Sequence, residues 1–255
     1  LKRPGGGGAQ SAVIVEGNRG RGRNRRIGSF AMLAILGFGV FVVMRQGLIP
    51  AAWTPLPALD LSDSGAWLVD WRIAELRHDR ALCTRVLKAP MISATPVSAS
   101  PIKNGCGWEN AVRISNAGGA GLSVGTVSCE VAAGMAMWLA HEVQPRALSI
   151  LGSRVTSVQH AGTYSCRDVK GRKFLPSVRS QHATANALDV SGFTLADGRK
   201  INIERDWRGT GSAARFLHEI HARACRYFRL AIGPEYNALH SDHFHYDRGF
   251  LSRCK

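Results

Sequence analysis

Apolar and polar positions alternate with two periods along this chain. Over 65–89, "GAWLVDWRIAELRHDRALCTRVLKA", apolar residues recur at helical spacing behind the candidate caps Asp63 and Ser64, which predicts a helix. "SCEVAAGMAMWLAHEVQPRAL" (128–148) opens with a Ser-x-Glu start and stays apolar to Val143. It predicts a second helix that Pro145 should end or kink. Between them, Pro90, Pro96 and Pro101 mark a loop leading to "GCGWENAVRIS". The period then changes. "RVTSVQHAGTYSCRD" (154–168) alternates and is rich in β-branched residues, so a strand with an irregular end is expected. "ALDVSGFTLADGRKINIERDW" (187–207) has two alternating runs around Asp197-Gly198, a strong hairpin signal. "SAARFLHEIHARACRYFRL" (212–230) reads as an amphipathic helix stopped by Gly233-Pro234, and "DHFHYD" as a short last strand. No internal repeat is visible. This order predicts an α+β fold with a small antiparallel sheet flanked by helices.

The front of the chain has a different pattern. Residues 1–26 are Gly- and Arg-rich and predict a disordered basic cytoplasmic tail. "IGSFAMLAILGFGVFVVM" (27–44) has no charged residue, and as a helix it would be about 27 Å long, near the hydrocarbon thickness. A cleavable signal peptide has a shorter apolar core, and "PAA" (50–52) is a weak cleavage site. The expectation is therefore one N-terminal transmembrane helix held in the lipid bilayer, with the N-terminus cytoplasmic by the positive-inside rule. Residues 45–64, with three prolines, would be a linker, and 65–255 a domain on the periplasmic, extracytoplasmic side.

Charge and cysteines support export. The net charge is +15, which suits an anionic partner such as a membrane surface or a cell-wall polymer. No zinc-finger spacing, aromatic RNA-binding signature or continuous basic helix accompanies the charge, so nucleic acid is not expected as a partner. The six cysteines, Cys83, Cys106, Cys129, Cys166, Cys225 and Cys254, form no Cys-x-x-Cys pair. An even, dispersed set fits three disulfides in an oxidising compartment, the alternative being buried free thiols. Fifteen pairings are possible. Pairing in sequence order gives Cys83–Cys106, Cys129–Cys166 and Cys225–Cys254.

The candidate chemistry lies in two stretches. "LHSDHFHYD" (239–247) holds three of the nine histidines, His240, His243 and His245. Residues two apart on a strand face the same way, so His243 and His245 can share one pocket. In "SQHATANALD" (180–189), His182 precedes Asp189 by seven residues, and a loop can bring them together. Two imidazoles and one carboxylate, with water in the fourth position, make an open catalytic zinc set. Each stretch alone is equally a solvated loop or a satisfied core pair. His218 and His221, one turn apart on a helix, read as packing residues. His78, His141 and His160 carry no assigned role. Trp108, Trp138 and Trp207 read as core.

"SQHATANALD" resembles the Ser-x-His-x-x-Gly-x-Ala-x-Asp motif of the lysostaphin/D-Ala-D-Ala metallopeptidase/hedgehog group, and "HSDHFH" resembles the His-x-His that closes that group's zinc site. A nearer resemblance is to the bacterial extensin-like C-terminal domain family. It runs over roughly 75–255 through "GCGWENAV", "SCEVAAGMAMWL", "TYSCR", "SGFTLADGR", "RDW", "ACRYF" and "GPEYNALHSDHFHYD" to Cys254. The family's name refers to proline-repeat plant proteins, and this chain has ten prolines but no such repeat.

The resemblance implies that His182, Asp189 and His245 hold Zn2+. It implies His243 as general base or electrostatic partner, with Asp242 as a rival base. His240 sits where murein endopeptidases also carry a histidine. Arg167 would stabilise an oxyanion, and Ser180 would orient the loop of His182. Ala185 stands where the motif has glycine, which puts the loop's position and the activity in question. The implied function is a zinc peptidase or amidase acting on peptidoglycan cross-links. The alternative is a non-catalytic cell-wall binding protein with a structural or vestigial metal site.

Overall fold

In the computed structural model, residues 19–170 and 178–255 are described, with side chains in the first helix described from Ser29. The expectation of disorder over 1–26 falls, up to residue 18, outside the described residues. The chain divides into two compact units, Leu1–Val42 and Val43–Lys255. The first contains most of helix α1, Arg19–Arg45. Phe30, Leu33, Ile35 and Phe38 are exposed on it. Among the described residues no helix is long and apolar enough to cross a membrane. The transmembrane helix expected over 27–44 is corrected by this finding.

The second unit is built on one large sheet. Its strands are β1 (Ile92–Val97), β4 (Ala111–Ala117), β5 (Ala120–Ser128), β6 (Val155–Gly162), β7 (Ala187–Leu195), β8 (Lys200–Asn202), β9 (Leu230–Ile232), β10 (Phe244–Asp247) and β11 (Arg253–Cys254). They lie in the order β1-β4-β5-β6-β7-β10-β9-β11, with β8 also on β7. A separate ribbon pairs β2 (Ser100–Lys103) with β3 (Cys106–Trp108). The expected small antiparallel sheet is therefore corrected to a nine-stranded mixed one. β5 and β6 are parallel, as are β9 and β11. The first parallel pair follows from the helix crossing over between β5 and β6, because parallel neighbours need a long connection.

β1 and β2 replace the loop expected around Pro96 and Pro101, and β4 and β5 were missed because their period is broken. In β4, Val112 and Ile114 are buried, but the next core residue is Ala117. In β5, Leu122 and Val124 are followed by Val127. The register of this pair shifts at Arg113/Ile114 and Ile114/Asn116. Each extra residue at a bulge moves the inward positions by one and removes the strict alternation.

The helices follow expectation with local changes. Residues 65–89 form two short helices, α2 (Val69–Ala74) and α3 (Arg80–Val86). Asp79 caps α3 by accepting from Leu82 N at 2.7 Å, while Asp63 accepts from Gly65 N instead of capping a helix. Helix α4 starts at Ser128, whose hydroxyl accepts from Val131 N. Its first segment, Cys129–Trp138, is buried on every side, as an all-round apolar helix must be. Pro145 does not end it. The helix continues through π-type turns at Leu139–Val143 and Ala147–Leu151, which absorb the missing N–H, and stops at Gly152 with φ 69°. After β8 come α5 (Ile203–Asp206) and α6 (Ser212–Ala224). Trp138, fully buried, donates its indole N–H to Ile220 O and meets Tyr246 edge-on. Trp207 is also core, whereas Trp108 is only partly covered. His218 and His221 pack against Trp207. Leu59 and Leu61, from the segment expected as a linker, are buried in the same core.

The disulfides are Cys83–Cys129, Cys106–Cys166 and Cys225–Cys254. Two of the pairs expected from sequence order are corrected. The sheet places β3 beside the loop that carries Cys166, and α3 beside the start of α4, so proximity along the chain does not decide the partner.

Candidate metal centre

β7 and β10 are antiparallel neighbours, and His245 is the residue directly opposite Asp189. Leu188 and Val190 point into the core, so Asp189 and His245 share the outer face. His245 Nδ1 lies 2.8 Å from Asp189 Oδ1. The third member arrives from the turn Gln181–Thr184, whose N-cap Ser180 accepts from His182 N. His182 Nε2 lies 3.2 Å from Asp189 Oδ2 and 3.2 Å from His245 Nδ1. One ligand atom from each of the three residues falls within 4.8 Å of the others.

The turn holding His182 needs an unusual backbone. It ends at Ala185, fully buried with φ 54°. This is the left-handed region that glycine adopts freely and alanine pays about 1–2 kcal/mol to enter. The motif's glycine is thus a backbone requirement that this chain meets under strain. Ala185 O accepts from Ser128 N at 2.7 Å, and Ala185 N donates to His182 O, which pins the turn to the start of α4.

The outer ring nitrogens are also engaged. His182 Nδ1 is hydrogen-bonded to Thr163 O. His245 Nε2 is 3.1 Å from Asp247 Oδ2. Histidines that bind metals commonly present the second nitrogen to a carbonyl or carboxylate in this way. With two imidazoles, one carboxylate and oriented outer nitrogens, the residues present fit a divalent zinc-type ion. Burial by itself would raise Asp189, but hydrogen bonds from His182 and His245 outweigh it and hold the carboxyl well below its usual range. Burial would lower His245, but Asp189 and Asp247 raise it above an ordinary histidine.

The remaining expected residues surround this cluster unevenly. His243 Nε2 is 3.8 Å from Asp189 Oδ1, and its Nδ1 is 2.7 Å from Asp242 Oδ1. His240 stands with its ring centre 5.2 Å from that of His243 and 5.9 Å from that of His245. Burial, then the charges of His243 and His245, push it down to about 4, so it is neutral near pH 7. Arg167 is not brought onto the cluster by any hydrogen bond or ion pair among the described residues. Its backbone lies alongside the His182 turn, with Arg167 O accepting from Ser180 N. Asp247 and Thr163 O were not foreseen. Asp247 was within reach of the sequence, being two residues beyond His245 on the same strand.

Further along β7 the outer face continues as a cleft. Its lining includes Gln159, Ser191, Thr194, Lys200 and Asn202, and no carboxylate.

A mixed sheet stapled by disulfides, with two histidines and an aspartate converging on its outer face, defines an α+β protein with a candidate metal centre. The chain belongs to the Extensin-like protein C-terminus family, whose model matches residues 81–255. That span contains the whole cluster. No curated protein and no solved structure matches the chain.

Proposed function

We propose that this protein is an extracytoplasmic zinc-dependent peptidase or amidase acting on peptide cross-links of peptidoglycan. The observation that carries this reading is the convergence of His182, Asp189 and His245 with both outer ring nitrogens already held. Zinc bound there would supply Lewis acidity and bring the pKa of a bound water towards neutrality. The chain's own groups would do the rest. Asp242 holds the Nδ1–H of His243, which leaves Nε2 as a lone pair at the edge of the cluster. This makes His243 the general base, taking a proton from water and returning it to the leaving amine, with Asp242 as its orienting partner. Neutral His240 adds no competing charge beside it. Arg167, on the segment flanking His182, would face the developing oxyanion.

The cleft further along β7, lined by Gln159, Thr194, Lys200 and Asn202, carries polar and basic groups suited to the carbonyls and carboxylates of a murein peptide, and the net charge of +15 suits an anionic polymer. Three disulfides support an oxidising, extracytoplasmic compartment. The full chain incubated with cross-linked muropeptides should release new amine termini with zinc present and none after chelation. Zinc binding without any cleavage would favour the second reading, a murein-binding protein with a structural metal. That reading draws on His243, close enough to Asp189 to act as a fourth ligand.

A further inference from the structure

We propose that Asp247 is a positioning residue that sets the tautomer of His245 and so makes Nδ1 its metal-binding atom. The inference rests on the metal-binding reading above and adds a residue to it. A neutral imidazole has one N–H donor and one lone pair, and the partner of one nitrogen decides which is which. Asp247 is an acceptor, buried, with its two oxygens assigned to different partners. Oδ1 accepts from Gly249 N at 2.8 Å, which leaves Oδ2 for His245 Nε2 at 3.1 Å. Asp189 accepts from Nδ1–H while no metal is bound. Once a metal ion takes up Asp189, Asp247 is the acceptor left to the ring, so His245 would donate from Nε2 and present the lone pair of Nδ1, the atom facing His182 Nε2 and Asp189.

The carboxylate is held rigidly. Asp247 pairs with Ala187 of β7 and with Leu230 of β9, so strands flank it on both sides. Its carbonyl also accepts from Arg229 N at 2.9 Å. Gly249, which holds Oδ1, lies against the His182 turn. A Cβ there would meet Gln181 Cδ at 2.7 Å, so a side chain would have to displace the Gln181 amide. The turn after β10 thus braces His245 from behind and packs on the loop that supplies His182.

The test uses the full chain and zinc itself. In the zinc-loaded wild type, ring-nitrogen NMR of His245 should show a protonated Nε2 and a metal-bound Nδ1. Asp247→Asn can still accept from Gly249, but it can turn an amide N–H towards Nε2 and reverse the tautomer. It should fold with the same disulfides and bind zinc about 10–100-fold more weakly in competition with a chelating dye. A metal-bound Nε2 in the wild type overturns the proposal without any variant. Wild-type affinity and an unchanged ring signature in Asp247→Asn overturn it as well. A wild type that binds no zinc overturns the metal reading and this inference together, so the two failures are distinct.

Discussion

His245 and Asp189 face each other across β10 and β7, with Nδ1 and Oδ1 2.8 Å apart, although 56 residues separate them in sequence. The cluster therefore depends on strand register. A slip of one residue would turn His245 into the core and bring Phe244 or Tyr246 out. Metal content should follow this geometry. His245→Ala and His182→Ala should each abolish zinc binding, since a three-ligand site loses one of its protein contacts. His243→Ala should keep most of the zinc and lose about 10²–10⁴ in turnover, the usual range for a general acid–base group. Zinc content and muropeptide release measured on the same preparations decide between the readings. Complete loss of metal in His243→Ala would make the site closed and structural.

Ala185→Gly should stabilise the protein by about 1 kcal/mol. Relief of a left-handed alanine gains about 1–2 kcal/mol, and the greater freedom of glycine in the unfolded chain takes part of it back. Denaturant unfolding checks the sign. A loss of stability would show that the turn relies on the Ala185 methyl for packing, which its complete burial allows.

Mapping of the non-reduced protein by mass spectrometry should recover Cys83–Cys129 and Cys106–Cys166. Cys106→Ala with Cys166→Ala should cost about 4 kcal/mol, the loop-closure value for a separation of 60 residues. Because Cys166 lies three residues after Thr163, whose carbonyl holds His182, the double variant should also weaken zinc binding. Unchanged affinity would uncouple this disulfide from the site.

His221 should make the fold acid-sensitive. Burial beside Phe244 and Tyr246 lowers it to about 4, with smaller effects from Lys255 O, His218 and Glu235. The unfolded chain takes up this proton near pH 6.5 and the folded one does not. Stability is therefore lost as pH falls from about 6.5 to about 4, by up to about 3 kcal/mol, and this contribution levels off below. In His221→Gln the same acid titration of unfolding free energy should be flatter over that window. Parallel curves would assign the acid sensitivity to other groups.

The hairpin at Asp197-Gly198, the start of α4 at Ser128, the amphipathic α6 and the strand carrying His245 were legible because each depends on neighbours a few residues apart. The two stretches that hold His182, Asp189 and His245 were legible as well, although His243 lies just before the strand and not on it. Tertiary structure decided everything that depends on distant partners. Bulges in β4 and β5 hid strands whose inward residues only the sheet identifies. The crossover of α4 made part of the sheet parallel. The disulfide partners of Cys83 and Cys106 were set by packing, not by chain order. Asp247 acquired a role only when β10 took a central place beside β7 and β9. Local patterns fix the period of an element and its ends, whereas register, strand order and the second partner of a side chain are set by which surfaces the whole core can bury together.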